Sequence, residues 1–166
     1  MNLEIRAAIR TDIPLILEFV RGLAKYEKLE HEVEATPEKF ERTLFPAEGG
    51  EKDRIQNGNA RCILAFADGT PAGFALYFFN YSTFLAKPSL YLEDLFVPPE
   101  FRGQGIGKSL LLHLAKRANA LECGRMEWSV LDWNEPAKGF YRSLGAVQLD
   151  DWRIFRLTGS ALAQYK

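Results

Sequence analysis

Apolar and polar residues follow two different periods along this chain, and the places where the period changes mark its elements. Residues 4–9 alternate loosely and predict a short strand. Thr11 or Asp12 then caps a helix whose apolar positions are Ile13, Ile16, Leu17, Val20, Leu23 and Ala24, with Pro14 tolerated in the first turn. The polar stretch 26–35 carries Glu27, Glu30, Glu32 and Glu34 and leads to a second start signal, Thr36-Pro37-Glu38, for a helix with Phe40 and Leu44 facing inward. Residues 46–59 hold Gly49, Gly50 and Gly58, show no period and read as a mobile loop.

Two strands follow, 60–67 and 73–81, joined by the hairpin signal Asp68-Gly69-Thr70-Pro71. The second is rich in aromatics: Phe74, Tyr77, Phe78, Phe79 and Tyr81. A third strand over 91–97 feeds a helix from about 105 to 121, in which Ile106, Leu110, Leu111, Leu114, Ala118 and Leu121 keep helical spacing. A strand at 125–131, a short helix opened by Asn134-Glu135-Pro136 and closed by Gly145, and a final strand at 151–157 complete the order. That order predicts an α/β fold with a largely antiparallel front and a βαβ unit behind it. No repeat, low-complexity tract or linker divides the chain, so residues 1–166 read as a single domain.

The densest chemistry sits where the third strand stops. In Phe96-Val97-Pro98-Pro99-Glu100-Phe101-Arg102-Gly103-Gln104-Gly105-Ile106-Gly107-Lys108, the prolines end the strand and the glycines let a ligand approach bare backbone. A helix N-terminus there exposes unpaired N–H groups and suits an anion, with Arg102 as a fixed positive charge beside it. A dinucleotide-binding Gly-x-Gly-x-x-Gly needs glycine at 108 or 110, where Lys108 and Leu110 stand. A P-loop ending in Gly107-Lys108-Ser109 needs its first glycine at Arg102. What remains is Arg-x-x-Gly-x-Gly after a strand, which resembles the acetyl-CoA pyrophosphate loop of the GCN5-related N-acetyltransferases (GNAT). The resemblance implies the GNAT fold: a mixed, mostly antiparallel central sheet flanked by helices and splayed at the acetyl-CoA site, between the strand ending at Val97 and the one ending near Leu131.

Composition removes other classes. Lys and Arg number 21 against 22 Asp and Glu, a net charge of -1, so no basic field draws nucleic acid. No run approaches the roughly 20 apolar residues that span a bilayer, and the N-terminus lacks a signal-like segment, which predicts no membrane partner and a cytoplasmic location. Cys62 and Cys123 lie in apolar patterns and read as two reduced, buried thiols. His31 and His113 have no ligand spacing, so no metal is expected. Trp128 and Trp133 read as packing residues.

Acetyl transfer to an amine makes three demands. A lysine-type amine, with a pKa near 10.4, is neutral in only roughly one molecule in a thousand at neutral pH, so the site must remove a proton. It must also stabilise an oxyanion and protonate the leaving thiolate. Glu93 is the candidate base, acting through ordered water. Backbone N–H groups near Leu95 are candidates to polarise the thioester, and Tyr141 is the candidate acid. Taken singly, each has a plainer reading: Glu93 as a solvated strand carboxylate, Tyr141 as an aromatic packed on Phe140, Asn134 as a helix cap. Glu93 and Asp94 should also face opposite sides of a strand unless a bulge intervenes. Cys123 lies at a helix-to-strand junction, which favours direct attack over an acetyl-cysteine intermediate.

Further segments narrow the resemblance. Ala24-Lys25-Tyr26-Glu27-Lys28-Leu29, Tyr91-Leu92-Glu93-Asp94, the loop from Phe101 to Gly107, Val130-Leu131-Asp132-Trp133-Asn134 and Phe140-Tyr141 resemble the diamine (spermidine/spermine) acetyltransferase branch, including its thialysine N-acetyltransferase members. That likeness implies that Leu95, Phe96, Val97, the stretch Arg102, Gly103, Gln104, Gly105, Ile106, Gly107 and Lys108, together with Asn134 and Tyr141, bind acetyl-CoA. It places Tyr26, Glu27, Glu93, Asp94 and Trp152 around the amine, and it implies a homodimer. The spermidine/spermine enzymes carry an acidic residue and a tryptophan shortly after the aromatic strand, where this chain has Tyr81-Ser82-Thr83-Phe84. The departure favours a lysine-like amino acid or short diamine over spermine. Polyamines and protein lysines remain alternative acceptors. A non-turnover acetyl-CoA sensor is the alternative of another class, opposed by the presence of both Glu93 and Tyr141.

Overall fold

The computed structural model describes residues 1–46 and 60–165. Most of the loop expected over 46–59 therefore lies outside the described residues. The chain forms two compact units, Met1–Ser129 and Val130–Lys166.

The first unit is built on a five-stranded sheet: β1 (Leu3–Ala7), β2 (Arg61–Ala67), β3 (Thr70–Ser82), β4 (Lys87–Phe96) and β5 (Met126–Trp128), in that spatial order. The first four strands are antiparallel, and β5 joins β4 in parallel. A parallel neighbour requires a crossover, supplied here by α3 (Ile106–Ala120), so the expected βαβ unit is present. Helices α1 (Ile13–Glu27) and α2 (Pro37–Leu44) precede β2. The polar stretch expected from residue 26 starts later than predicted, because Tyr26 and Glu27 complete the last turn of α1. Thr36 caps α2 by accepting from the Lys39 N–H at 3.2 Å. Asp12 precedes α1 but turns its carboxylate elsewhere: it accepts from the Arg6 guanidinium at 2.7 and 2.9 Å and from the Ile9 N–H at 2.8 Å.

One face of the sheet is packed by α1 through Ile16, Phe19, Cys62, Leu64, Phe74, Leu76 and Phe96, all buried. The Phe19 and Phe74 rings stack with centroids 5.7 Å apart, which fixes the side of β3 that α1 covers. Gly22 permits the close approach, since a Cβ there would stand 2.8 Å from the Phe96 ring. Helix α3 buries Ile106, Leu110, Leu111, Leu114 and Ala118, as its spacing predicts.

The second unit holds α4 (Glu135–Ser143) and α5 (Gly159–Ala163). The strand predicted over 151–157 does not form: this segment has no strand pairing, and Trp152, Ile154, Phe155 and Leu157 are exposed. Its alternating pattern meets the local requirement for a strand, but strand hydrogen bonds come from a neighbour that local pattern cannot supply. The strand expected over 125–131 is shorter, ending at Trp128. Trp133, expected to pack, is 53% exposed. Cys62 is buried and Cys123 partly so; both are free thiols.

Candidate active site

The register of β4 against its two neighbours creates the site. On one side β5 pairs only with Leu90, Tyr91 and Leu92, so among the described residues the backbone from Glu93 to Phe96 continues with β3 as its one strand neighbour. Such an edge offers free donors and acceptors to an extended, amide-bearing ligand. On the other side the pairing slips: Tyr77 opposes Leu92, whereas Leu76 opposes Asp94, leaving Glu93 as the extra residue of a β-bulge.

The bulge decides where the two carboxylates point. Phe74 and Leu76 lie two apart on β3 and share the α1 face, and Asp94, opposite Leu76, shares it too. Leu92 pairs with Tyr77 on the other face, so its neighbour Glu93 turns toward α1 as well. The two acids that regular alternation would separate are thus brought to one side, where Glu27 closes the last turn of α1. Glu93 is exposed, whereas Asp94 and Glu27 are partly buried. Burial, followed by the charges of Glu93 and Glu27, pushes the Asp94 carboxyl up to about 7. Burial also raises Glu27. No hydrogen bond or ion pair joins Asp94 to another of the described residues.

The glycine turn follows directly. Gly103 and Gly105 take φ of 74° and 81°, the left-handed region that side chains rarely enter, and nothing lies within 4 Å of where their Cβ atoms would stand. The turn is therefore open on that side. Gly105 begins α3, and the first backbone bond of the helix runs from the Ser109 N–H to the Gly105 carbonyl at 2.9 Å. The N–H groups of Ile106, Gly107 and Lys108 precede it and have no intrahelical partner, as in any first helical turn. Arg102 lies with its guanidinium 4.6 Å from the Tyr26 ring centre and 5.9 Å from that of Phe96, and it donates Nε–H to the Val97 carbonyl at 3.0 Å. The aromatic stacking links the glycine loop to the end of α1, a contact that sequence spacing gave no means of finding.

Of the residues singled out in the sequence, the first unit thus brings together Tyr26, Glu27, Glu93, Asp94, Phe96 and Arg102, with Leu95 and Val97 on the same strand end. Asn134, Tyr141 and Trp152 belong to the second unit. Asn134 is buried, and its side chain caps α4 by accepting from the Ala137 N–H at 3.3 Å. Tyr141 lies on α4 with its ring 5.3 Å from that of Phe140. Trp152 is 77% exposed on the segment that forms no strand. One residue here escaped the sequence reading. Lys138 is buried, and its ammonium donates to the Asp132 backbone carbonyl, to the Asp132 carboxylate at 2.8 Å and to Glu135 at 3.0 Å. These bonds raise Lys138 and lower Asp132, and they hold the turn that presents Asn134. The i,i+3 spacing of Glu135 and Lys138 was the available signal.

Among the described residues no group of His, Cys, Asp and Glu is arranged to hold a metal, and no helix is long and apolar enough to cross a membrane. His31 and His113 are both exposed.

A strand open on one edge, running into a glycine turn and a helix N-terminus, offers backbone to an extended ligand that ends in an anion. The family model described as acetyltransferase (GNAT) family matches residues 25–146, and the chain belongs to that family. Members use acetyl-CoA as co-substrate. The thialysine N-epsilon-acetyltransferase of Sus scrofa is 37% identical, the alignment covering 96% of this chain and 95% of that protein. The L-ornithine N5-acetyltransferase NATA1 of Arabidopsis thaliana is 32% identical, covering 96% and 86% respectively. Among solved structures, the integron cassette protein VCH_CASS6 from V. cholerae superposes with a TM-score of 0.77 at 25% identity, covering 99% of this chain and 98% of that one.

Proposed function

We propose that this GNAT-family N-acetyltransferase moves acetyl from acetyl-CoA to the primary amine of a small molecule, a lysine-like or ornithine-like amino acid or a short diamine, by direct attack in a ternary complex. The observation that carries the reading is the β4 bulge. It supports the reading because it turns Glu93 and Asp94 to the side of β4 that α1 covers, with Glu27 near enough to act on Asp94, beside a strand edge that would suit a pantetheine chain. Three acids on one face attract an ammonium, and the open backbone from Glu93 to Phe96, with Leu95 and Val97, would pair with the amides of the coenzyme arm. The turn from Arg102 through Gly103, Gln104, Gly105, Ile106 and Gly107 to Lys108 would take its pyrophosphate on unpaired N–H groups.

In this reading a β4 carboxylate removes a proton from the ammonium, Glu93 being the candidate named by its place on the strand beside the glycine loop. The neutral nitrogen attacks the thioester carbon, a backbone N–H near Leu95 steadies the oxyanion, and Tyr141 gives a proton to the departing sulfur. Asn134 would contact the coenzyme, and Tyr26 and Trp152 the acceptor. Residues 1–166 would act as one acetyltransferase domain in a cytoplasmic homodimer.

The acceptor is tested by measuring CoA release against thialysine, lysine, ornithine, putrescine, spermidine, spermine and a lysine-containing peptide. Amino acids or the short diamine should lead. Preference for spermine or for the peptide would overturn the acceptor assignment. Binding of acetyl-CoA without turnover on any amine would replace the enzyme by a sensor. In the same assay Tyr141→Phe should lower turnover by roughly a hundredfold or more while leaving acetyl-CoA affinity nearly unchanged; equal losses in both would reduce Tyr141 to a packing contact.

A further inference from the structure

The two carboxylates of the β4 bulge are not equivalent. Glu93 is the extra residue, exposed to solvent, and it is the acid that regular spacing brings to notice. Asp94 sits in register: it opposes Leu76, which in turn opposes Cys62 on β2, so the three side chains form a row across the sheet beneath α1. It is partly buried there. The charges that reach it come from Glu93 on its own strand and Glu27 on α1, both negative. Cys62, beyond Leu76 in that row, is a thiol that burial, with Asp12 and Asp94, pushes up to about 12, so it stays neutral. The guanidinium of Arg102 is held over the Tyr26 ring and against the Val97 carbonyl. Asp94 therefore has acids on two sides and no cationic partner among the described residues.

We propose that Asp94, not Glu93, takes the proton from the acceptor ammonium, with Glu93 and Glu27 setting its affinity for that proton and drawing the cation in. The inference rests on the acetyl-transfer reading above. An ammonium drawn up to the three acids would supply the missing cation and let Asp94 ionise. The R–NH3+ group then passes one proton to the Asp94 carboxylate, and the freed lone pair forms the N–C bond to the thioester carbon. The C–S bond breaks with its electron pair on sulfur, which takes up a proton as the new amide nitrogen sheds one. Amide, thiol and one net proton leave. A proton passing from such an ammonium to an ordinary carboxylate climbs through roughly six decades of equilibrium constant, and to a carboxylate near neutrality roughly three. Before the ammonium arrives, Asp94 is held in that second range by its burial and its two acidic neighbours.

The test is the pH profile of kcat/KM for wild type, Asp94→Asn, Asp94→Glu and Glu93→Gln, with acetyl-CoA binding measured on each to show that it is folded. Wild type should rise with pH through an inflection near neutrality. Asp94→Asn should lose that inflection and at least a hundredfold of the rate, and Asp94→Glu should restore an inflection. Glu93→Gln should keep the inflection but move it to lower pH, because a negative neighbour has gone. The opposite pattern, an inflection abolished by Glu93→Gln and retained in Asp94→Asn, would overturn the inference and leave the enzyme's function standing. Absence of turnover by the wild type on every amine would overturn both.

Discussion

Two aspartates of the first unit meet opposite fates. Asp12, ahead of α1, is clasped by both terminal nitrogens of Arg6 and by a backbone N–H, and these bonds hold its carboxyl below the ordinary range despite partial burial. Asp94, under the same helix, is met by two further acids and pushed far above that range. Burial raises both; the partner decides the outcome. The first aspartate is satisfied within the fold and fastens β1 to the start of α1. The second has no cationic partner among the described residues, which suits it to the role proposed for it beside an ammonium.

The contrast is broken most strongly at Asp12. Asp12→Ala should cost about 1–3 kcal/mol of unfolding free energy in urea at pH 7, because it removes three hydrogen bonds to a charged group. With its pKa lowered in the folded state, this contribution is present above the unfolded value and fades as acid protonates Asp12. Wild type and variant should therefore converge at low pH; a gap that persists there would mean that packing, not charge, was lost.

Asp94 should behave in the reverse sense. A carboxyl raised on folding costs nothing below its unfolded value, costs progressively more as pH rises toward about 7, and the full amount above it. Asp94→Asn should accordingly melt higher than wild type at pH 8 and equally at pH 4. Equal melting at both pH values would show that Asp94 is relieved by some other group. The smallest expected effect is at Glu27, the weaker of the two charges acting on Asp94. Glu27→Gln should lower the inflection of the rate profile by less than Glu93→Gln does, and a larger shift would reverse their order.

Much of this protein was written in its pattern. The periods of α1 and α3, the caps Thr36 and Asn134, the close of α4 at Gly145 and the glycine turn after β4 are all local events, set by residues within a turn or two of one another. So was the likeness to the family, carried by Arg102, Gly105 and Gly107 after a strand and by the segments around them, which the match over residues 25–146 bears out. The segment 151–157 has strand chemistry and yet forms no strand, since pairing depends on an edge elsewhere. The decisive feature of the site is of the same kind. Whether Glu93 and Asp94 share a face depends on how β4 registers against β3, and that register is settled by which aromatic and aliphatic side chains pack under α1. Sequence named both acids, but only the tertiary structure could turn them to one side, partly bury one and set two further acids close enough to act on it.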